Sequence, residues 1–213
     1  MPNGPRRSPA PADRRRDADR TRRALLDAAL AEFAANGFEG ARVSEIAERA
    51  GVSKQLVSYY FGGKEGLYEA ILQRWYELEE RIAEPGISLD ELVWRYLEVG
   101  HEHPELVRLF MRESLNQDPT AFEYEPAAPE VLDLRARQTA GEIAPELDPA
   151  FVLLCLQAIV VSGTIQPGDV KRFLGMDPRS QEYLEYAGTQ LRLLVRRLGT
   201  AGTGPIEPGA HQT

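Results

Sequence analysis

A single cysteine, Cys155, stands in 213 residues. One thiol closes no internal disulfide, so the fold must rest on apolar packing, and a reducing, cytoplasmic setting is expected. Long hydrophobic runs are missing as well. The longest apolar stretch, FVLLCLQAIVV from Phe151 to Val161, is broken by Gln157 and falls well short of the ~20 residues a membrane-spanning helix needs. It reads as a core helix covered on nearly every side, with Cys155 buried in it, and no membrane partner is expected. The opening stretch MPNGPRRSPAPADRRRDADR lacks an apolar centre and does not read as a secretory signal.

Catalytic signatures are equally scarce. There is no P-loop, no GxSxG elbow and no dinucleotide glycine motif. His101-Glu102-His103, followed by Glu105, invites a metal reading. Histidines one residue apart point to different helix faces, however, and HExxH spacing is absent. A solvated helix end is the better reading. No metal or cofactor is expected, and an all-α enzyme is the weaker alternative class.

No segment alternates in the manner of a strand, whereas helical spacing recurs almost throughout. Leu25, Leu26, Ala29 and Phe33 share one helix that ends at Asn36-Gly37, and VSEIAERA makes a second. SKQLVSYYF makes a third with Ser53 as its cap, and the segment from Lys64 a longer fourth, stopped by Pro85-Gly86. Beyond it come LDELVWRYLEVGHEH, capped by Ser88, then HPELVRLFMRESLN and PEVLDLRARQTAGEIA. The apolar helix from Asp148-Pro149 comes next, then a connector QPGDVKRFLGMDP and a last amphipathic helix from Ser180. The expected fold is all-α with about nine helices. A basic, disordered arm covers 1–19, a three-helix unit 20–65, a larger helical domain 66–199 and a flexible tail 200–213.

Net charge is -8, yet it is unevenly spread. Residues 1–75 carry 13 Lys and Arg against 10 Asp and Glu, and the remainder 12 against 23. A basic front on an acidic body suits a polyanionic partner for the front alone.

That front holds ERAGVSKQLVSYYFGGKEGLY, from Glu48 to Tyr68. Two short helices meet at Gly-Val-Ser, the pattern of a helix-turn-helix. Gly51 falls where a left-handed backbone is needed. Ile46, Ala47, Val57 and Phe61 are placed to pack on Ala29 and Phe33, which projects the second short helix from the surface. Such a helix fits the major groove of DNA. Gln55 can pair with adenine, Lys54 with guanine or phosphate, Leu56 with a thymine methyl, and Ser58 can donate or accept. Tyr59, Tyr60 and Lys64 suit phosphate oxygens.

The longer string TRRALLDAALAEFAANGFEGARVSEIAERAGVSKQLVSYYFGGKEGLYEAIL, Thr21–Leu72, resembles the DNA-binding domain of the TetR family of transcriptional regulators. The likeness lies in the AA…F…G pattern of the first helix, IAERAGVS, the Tyr59-Tyr60-Phe61 trio and KEGL. It implies a double-stranded DNA operator as partner, contacted by Arg42, Ser44, Lys54, Gln55, Leu56, Ser58, Tyr59, Tyr60 and Lys64, with Phe61 in the core. Two positions depart from the family pattern. Arg42 stands where a capping Thr or Ser is usual, and Ser58 where an aromatic is usual. The arginines Arg14, Arg15, Arg16, Arg20, Arg22 and Arg23 can follow the DNA backbone or remain solvated.

For the body, the resemblance implies a homodimer and a small-molecule effector. The helix from Phe151 and the one from Ser180 to Leu198 are apolar enough for a four-helix dimer interface. Pocket candidates are Trp94, Phe110, Met111, Glu113, Asn116 and Gln157. Helix 4, between reader and body, is the expected lever. Repression by operator occupancy is the expected outcome; activation, or control by a partner protein without an effector, are the alternatives.

Overall fold

The computed structural model describes residues 11–84 and 86–199. The first ten residues of the expected arm, Pro85, and the expected tail from 200 onward lie outside the described residues. Ten α-helices and one 3-10 turn, Pro119–Ala121, are present, and no strand occurs among the described residues. No single described helix is long and apolar enough to cross a membrane.

The chain divides into two compact units. One comprises residues up to Glu79 together with Arg108–Leu115; the other comprises Glu80–Val107 and residues from Asn116 onward. The first unit is built on α1 (Pro11–Gly40), α2 (Val43–Arg49), α3 (Lys54–Phe61) and most of α4 (Lys64–Ile82). Of the residues the spacing places there, Leu25, Ala29, Phe33, Ile46, Ala47 and Val57 are buried, with Leu67 beside them, while Leu26 is half-buried.

Here α1 departs from expectation, because it begins at Pro11 rather than near Arg20. Low apolar content predicts disorder for the segment before Arg20. A helix needs no core where proline starts it and charges alternate, and an Arg20–Asp17 pair at 3.2 Å supports this turn. Near its other end α1 breaks at Gly37, with φ 70 and ψ 172, a backbone region open in practice only to glycine.

The second unit is assembled around α5 (Leu89–Glu102), which packs on α8 (Pro149–Ile165) and α10 (Gln181–Leu198). α7 (Pro129–Thr139) lies on α8, and α9 (Pro167–Leu174) comes directly after it. α6 (Pro104–Asn116) begins in this unit, while its residues from Arg108 to Leu115 belong to the first. The expected connector after Gln166 is thus a helix, α9, which brings the helix count to ten. Its Pro167 and Gly168 look like turn signals, but proline at the first helical position starts a helix.

Capping also differs from expectation in part. Asp148 accepts from the Phe151 N–H at 2.8 Å, and Ser180 from the Tyr183 N–H at 3.1 Å. Ser53 and Ser88 occupy N-cap positions without a side-chain bond to their helices. Ser88 instead donates to Asp90, while the Leu89 N–H at the start of α5 goes to Glu142.

Candidate nucleic-acid interface

Three N–H bonds close the turn between α2 and α3: Ala50 to the Ile46 carbonyl, Gly51 to Glu48 and Val52 to Ala47. Gly51 adopts φ 67, the left-handed conformation the turn requires. Val57 is the only residue of α3 that is fully buried, so the helix rests on one edge and presents its opposite face. Lys54, Gln55, Ser58 and Tyr59 are exposed together on it, Tyr59 at 78%. Leu56 and Tyr60 are half-buried, and the Tyr60 ring meets Tyr59 edge-on at 5.0 Å. Phe61 is half-buried rather than core, covered by the Arg22 guanidinium at 4.9 Å.

Arg42 and Ser44, at the start of α2, are both exposed. Arg42 is the N-cap residue and offers no side-chain cap. Its N–H points instead to Glu32 of α1 at 3.5 Å. Glu32 is buried, only 4% exposed, and also accepts from Asn36 at 2.9 Å and faces Arg49 at 3.8 Å. A buried carboxylate needs such partners, because an unpaired one costs several kcal/mol. Glu32 is missing from the residues the sequence singles out, although an acid on the Ala29–Phe33 face of a helix is itself a signal.

Lys64 opens α4 half-buried. Its Nζ donates to the Glu39 carbonyl at 3.1 Å and lies 4.6 Å from the Phe38 ring centroid. An ammonium has three donors, so phosphate can take one that the carbonyl does not use. Phe38 belongs to an aromatic cluster with Phe33 at 5.8 Å and Tyr68 at 5.1 Å. Burial, then Glu113 and Tyr76, hold the Tyr68 hydroxyl above the ordinary tyrosine range.

The six pocket candidates are divided between the units. In the first, Phe110 packs on Trp75 at 5.2 Å, Met111 is half-buried, and Glu113 accepts from the Phe38 N–H at 3.4 Å. In the second, Trp94 lies against Gly188 beneath the Arg192 guanidinium at 4.7 Å, while Asn116 and Gln157 are exposed. A surface cleft of about 380 Å³ is lined by Pro167, Lys171, Asp177, Pro178 and Arg179, none of them a candidate.

Cys155 is exposed in this chain, contrary to expectation. So is much of α8, where only Val152 and Leu156 are buried. Phe151 and Leu154 are 67% and 63% exposed, and with Cys155, Ala158 and Ile159 they form one stripe at helical spacing. On α10, Tyr186, Leu193 and Leu194 form another. The two helices meet where Tyr183 lies against Gly163.

A helix-turn-helix with an exposed polar recognition helix, carried on a separate all-helical unit, defines a DNA-binding transcriptional regulator. Residues 25–71 match the family described as bacterial regulatory proteins, tetR family, and residues 88–197 match the tetracyclin repressor-like C-terminal domain. The HTH-type transcriptional regulator RutR of Escherichia coli (strain K12) is 32% identical over 174 residues, spanning 78% of this chain and 74% of that one. The HTH-type transcriptional repressor SCO4008 of Streptomyces coelicolor is 32% identical over 166 residues, spanning 75% and 85%. The crystal structure of SCO4942 from Streptomyces coelicolor superposes with a TM-score of 0.66 at 28% identity, covering 84% of this chain and 98% of that one. The chain belongs to the tetR family of bacterial regulatory proteins.

Proposed function

We propose that the protein is a homodimeric, cytoplasmic repressor that holds a near-palindromic operator through two copies of α3 and releases it when a small-molecule effector binds the second unit. The observation that carries this reading is the pair of uncovered apolar stripes, one on α8 and one on α10. Leucine and phenylalanine at such exposure call for a cover, and a second copy supplies an identical one. Dimerisation then offers two recognition helices about 34–36 Å apart, one helical turn of DNA. Lys54, Gln55, Leu56 and Ser58 face base edges, while Arg42, Ser44, Tyr59, Tyr60 and Lys64 face phosphates. The repressor named among the relatives supports the direction of control, and the match to tetracyclin repressor-like C-terminal domains supports the effector. α4 connects reader and body, and an effector shifts the recognition-helix spacing only through unequal affinity for the two states. No catalytic step is part of this reading.

Selection from random duplex DNA at fixed salt is the direct test. A near-palindrome should be enriched by the wild type and lost by Tyr59→Ala/Lys64→Ala. No enrichment by a well-folded dimer would remove the operator reading. The basic arm has its own outcome. Deleting residues 1–19 should weaken binding to all sequences alike and flatten its salt dependence; an unchanged slope removes the arm from the interface.

A further inference from the structure

From the contacts at the Gly37 break we infer that Arg112 and Glu113 of α6 are positioning residues for DNA binding, acting through Phe38 and Glu39 on Lys64. The inference rests on the reading above, in which Lys64 holds a phosphate.

A helix that stops leaves carbonyls without donors, and a chain that restarts leaves N–H groups without acceptors. At Gly37 a carbonyl before the break and an N–H after it lie within four residues, and consecutive residues of α6 bond them. The Arg112 guanidinium donates to the Ala35 carbonyl at 2.9 Å. The Glu113 carboxylate accepts the Phe38 N–H at 3.4 Å. Charge matches function on each side, with a cation on the carbonyl end of a helix and an anion on a free amide. The fit is close, since a Cβ on Gly37 would lie 3.2 Å from Arg112 Cδ.

The seat of Lys64 lies immediately past the break. Phe38 gives its ring to the ammonium at 4.6 Å, and the next residue, Glu39, gives its carbonyl at 3.1 Å. The direction in which Lys64 presents its remaining donors is therefore set by the path of Phe38-Glu39, and that path is held by α6. Pro104 to Val107 of the same helix belong to the second unit. A contiguous set of contacts becomes a coupling claim only when the energies are shown to be shared.

The test is a double-mutant cycle on the full-length protein, with the operator recovered by selection and no effector added. Arg112→Ala should weaken operator binding about tenfold and lower the salt slope by about two per dimer, one phosphate per protomer. Lys64→Ala should do the same, and the double variant should bind no more weakly than the worse single one. Arg112→Lys, which keeps a donor for the Ala35 carbonyl, should restore most of the affinity. Glu113→Ala gives the same comparison with the other half of the clamp should Arg112→Ala fold poorly. A purely structural role predicts a lowered melting temperature with the salt slope unmoved, and that result overturns the inference. So do additive losses in the cycle. If Lys64→Ala leaves affinity and slope unchanged, the phosphate reading of Lys64 fails first and the inference falls with it.

Discussion

Gly66→Ala should abolish specific operator binding while leaving a folded, helical protein. Gly66 lies in the first turn of α4, and a Cβ there would sit 1.7 Å from the Phe61 carbonyl oxygen and 2.9 Å from the Phe61 carbonyl carbon. Both are backbone atoms at the end of α3, so no rotamer change relieves the overlap. The α3 end or the α4 start must shift by more than about an ångström to restore ordinary contact distances. Overpacking of this kind costs about 1–3 kcal/mol, occasionally more, against a domain stability of about 5–15 kcal/mol, so most of the protein stays folded. Binding is far less tolerant. Each good base contact is worth about 1–3 kcal/mol, and the proposed reading gives α3 several, so moving it as a body would lose them together. A fall of about a hundredfold or more toward non-specific affinity is expected, read by fluorescence anisotropy on the selected operator at constant salt beside circular dichroism. Wild-type affinity in Gly66→Ala would show that the approach of α4 to Phe61 imposes no constraint on α3.

The helix-turn-helix was legible in the sequence because its signals are local. Apolar spacing, Gly51 and the polar run of α3 all lie within a few turns, and the buried set Ile46, Ala47 and Val57 is set by them. The elements that differ depend on distant partners or on ambiguous punctuation. Glu113 reads as pocket polarity because the sequence of α6 shows which face is polar but not what it meets. The backbone groups beside Gly37 that it and Arg112 bond lie 75 and 77 residues away. Arg42 leaves α2 without a side-chain cap, and the acceptor for its N–H comes from Glu32 on another helix. Pro167 marks a helix start and a turn with the same letter, which hides α9. Cys155 and much of α8 read as buried because an apolar helix has one composition whether or not its own chain covers it.

That last ambiguity yields the second large effect. Leu154→Glu combined with Leu194→Glu should convert the protein to a monomer and remove high-affinity operator binding with it. Leu154 is 63% exposed and Leu194 56% exposed, each a member of its stripe. In the proposed two-fold dimer every residue counts twice, so each substitution is felt at two places in its interface. Full burial of one such side chain contributes about 1.5–3 kcal/mol, and half of that per residue, taken over both protomers, amounts to about 3–6 kcal/mol. At about 1.4 kcal/mol per decade, the dimer dissociation constant rises by roughly 10² to 10⁴ before the added carboxylates are considered. Desolvating them without partners adds to the loss. Sedimentation velocity at micromolar protein should report the mass of one chain, with helicity retained because neither leucine belongs to the core of its own protomer. The operator then meets one recognition helix at a time, and half-site binding loses the second set of contacts. Leu115→Glu is the control, since Leu115 is 87% exposed at the end of α6 and lies on neither stripe. It should remain dimeric and bind as the wild type does. If Leu154→Glu/Leu194→Glu still sediments as a dimer, the α8–α10 face is not the interface, and the two copies of α3 must be spaced by some other surface.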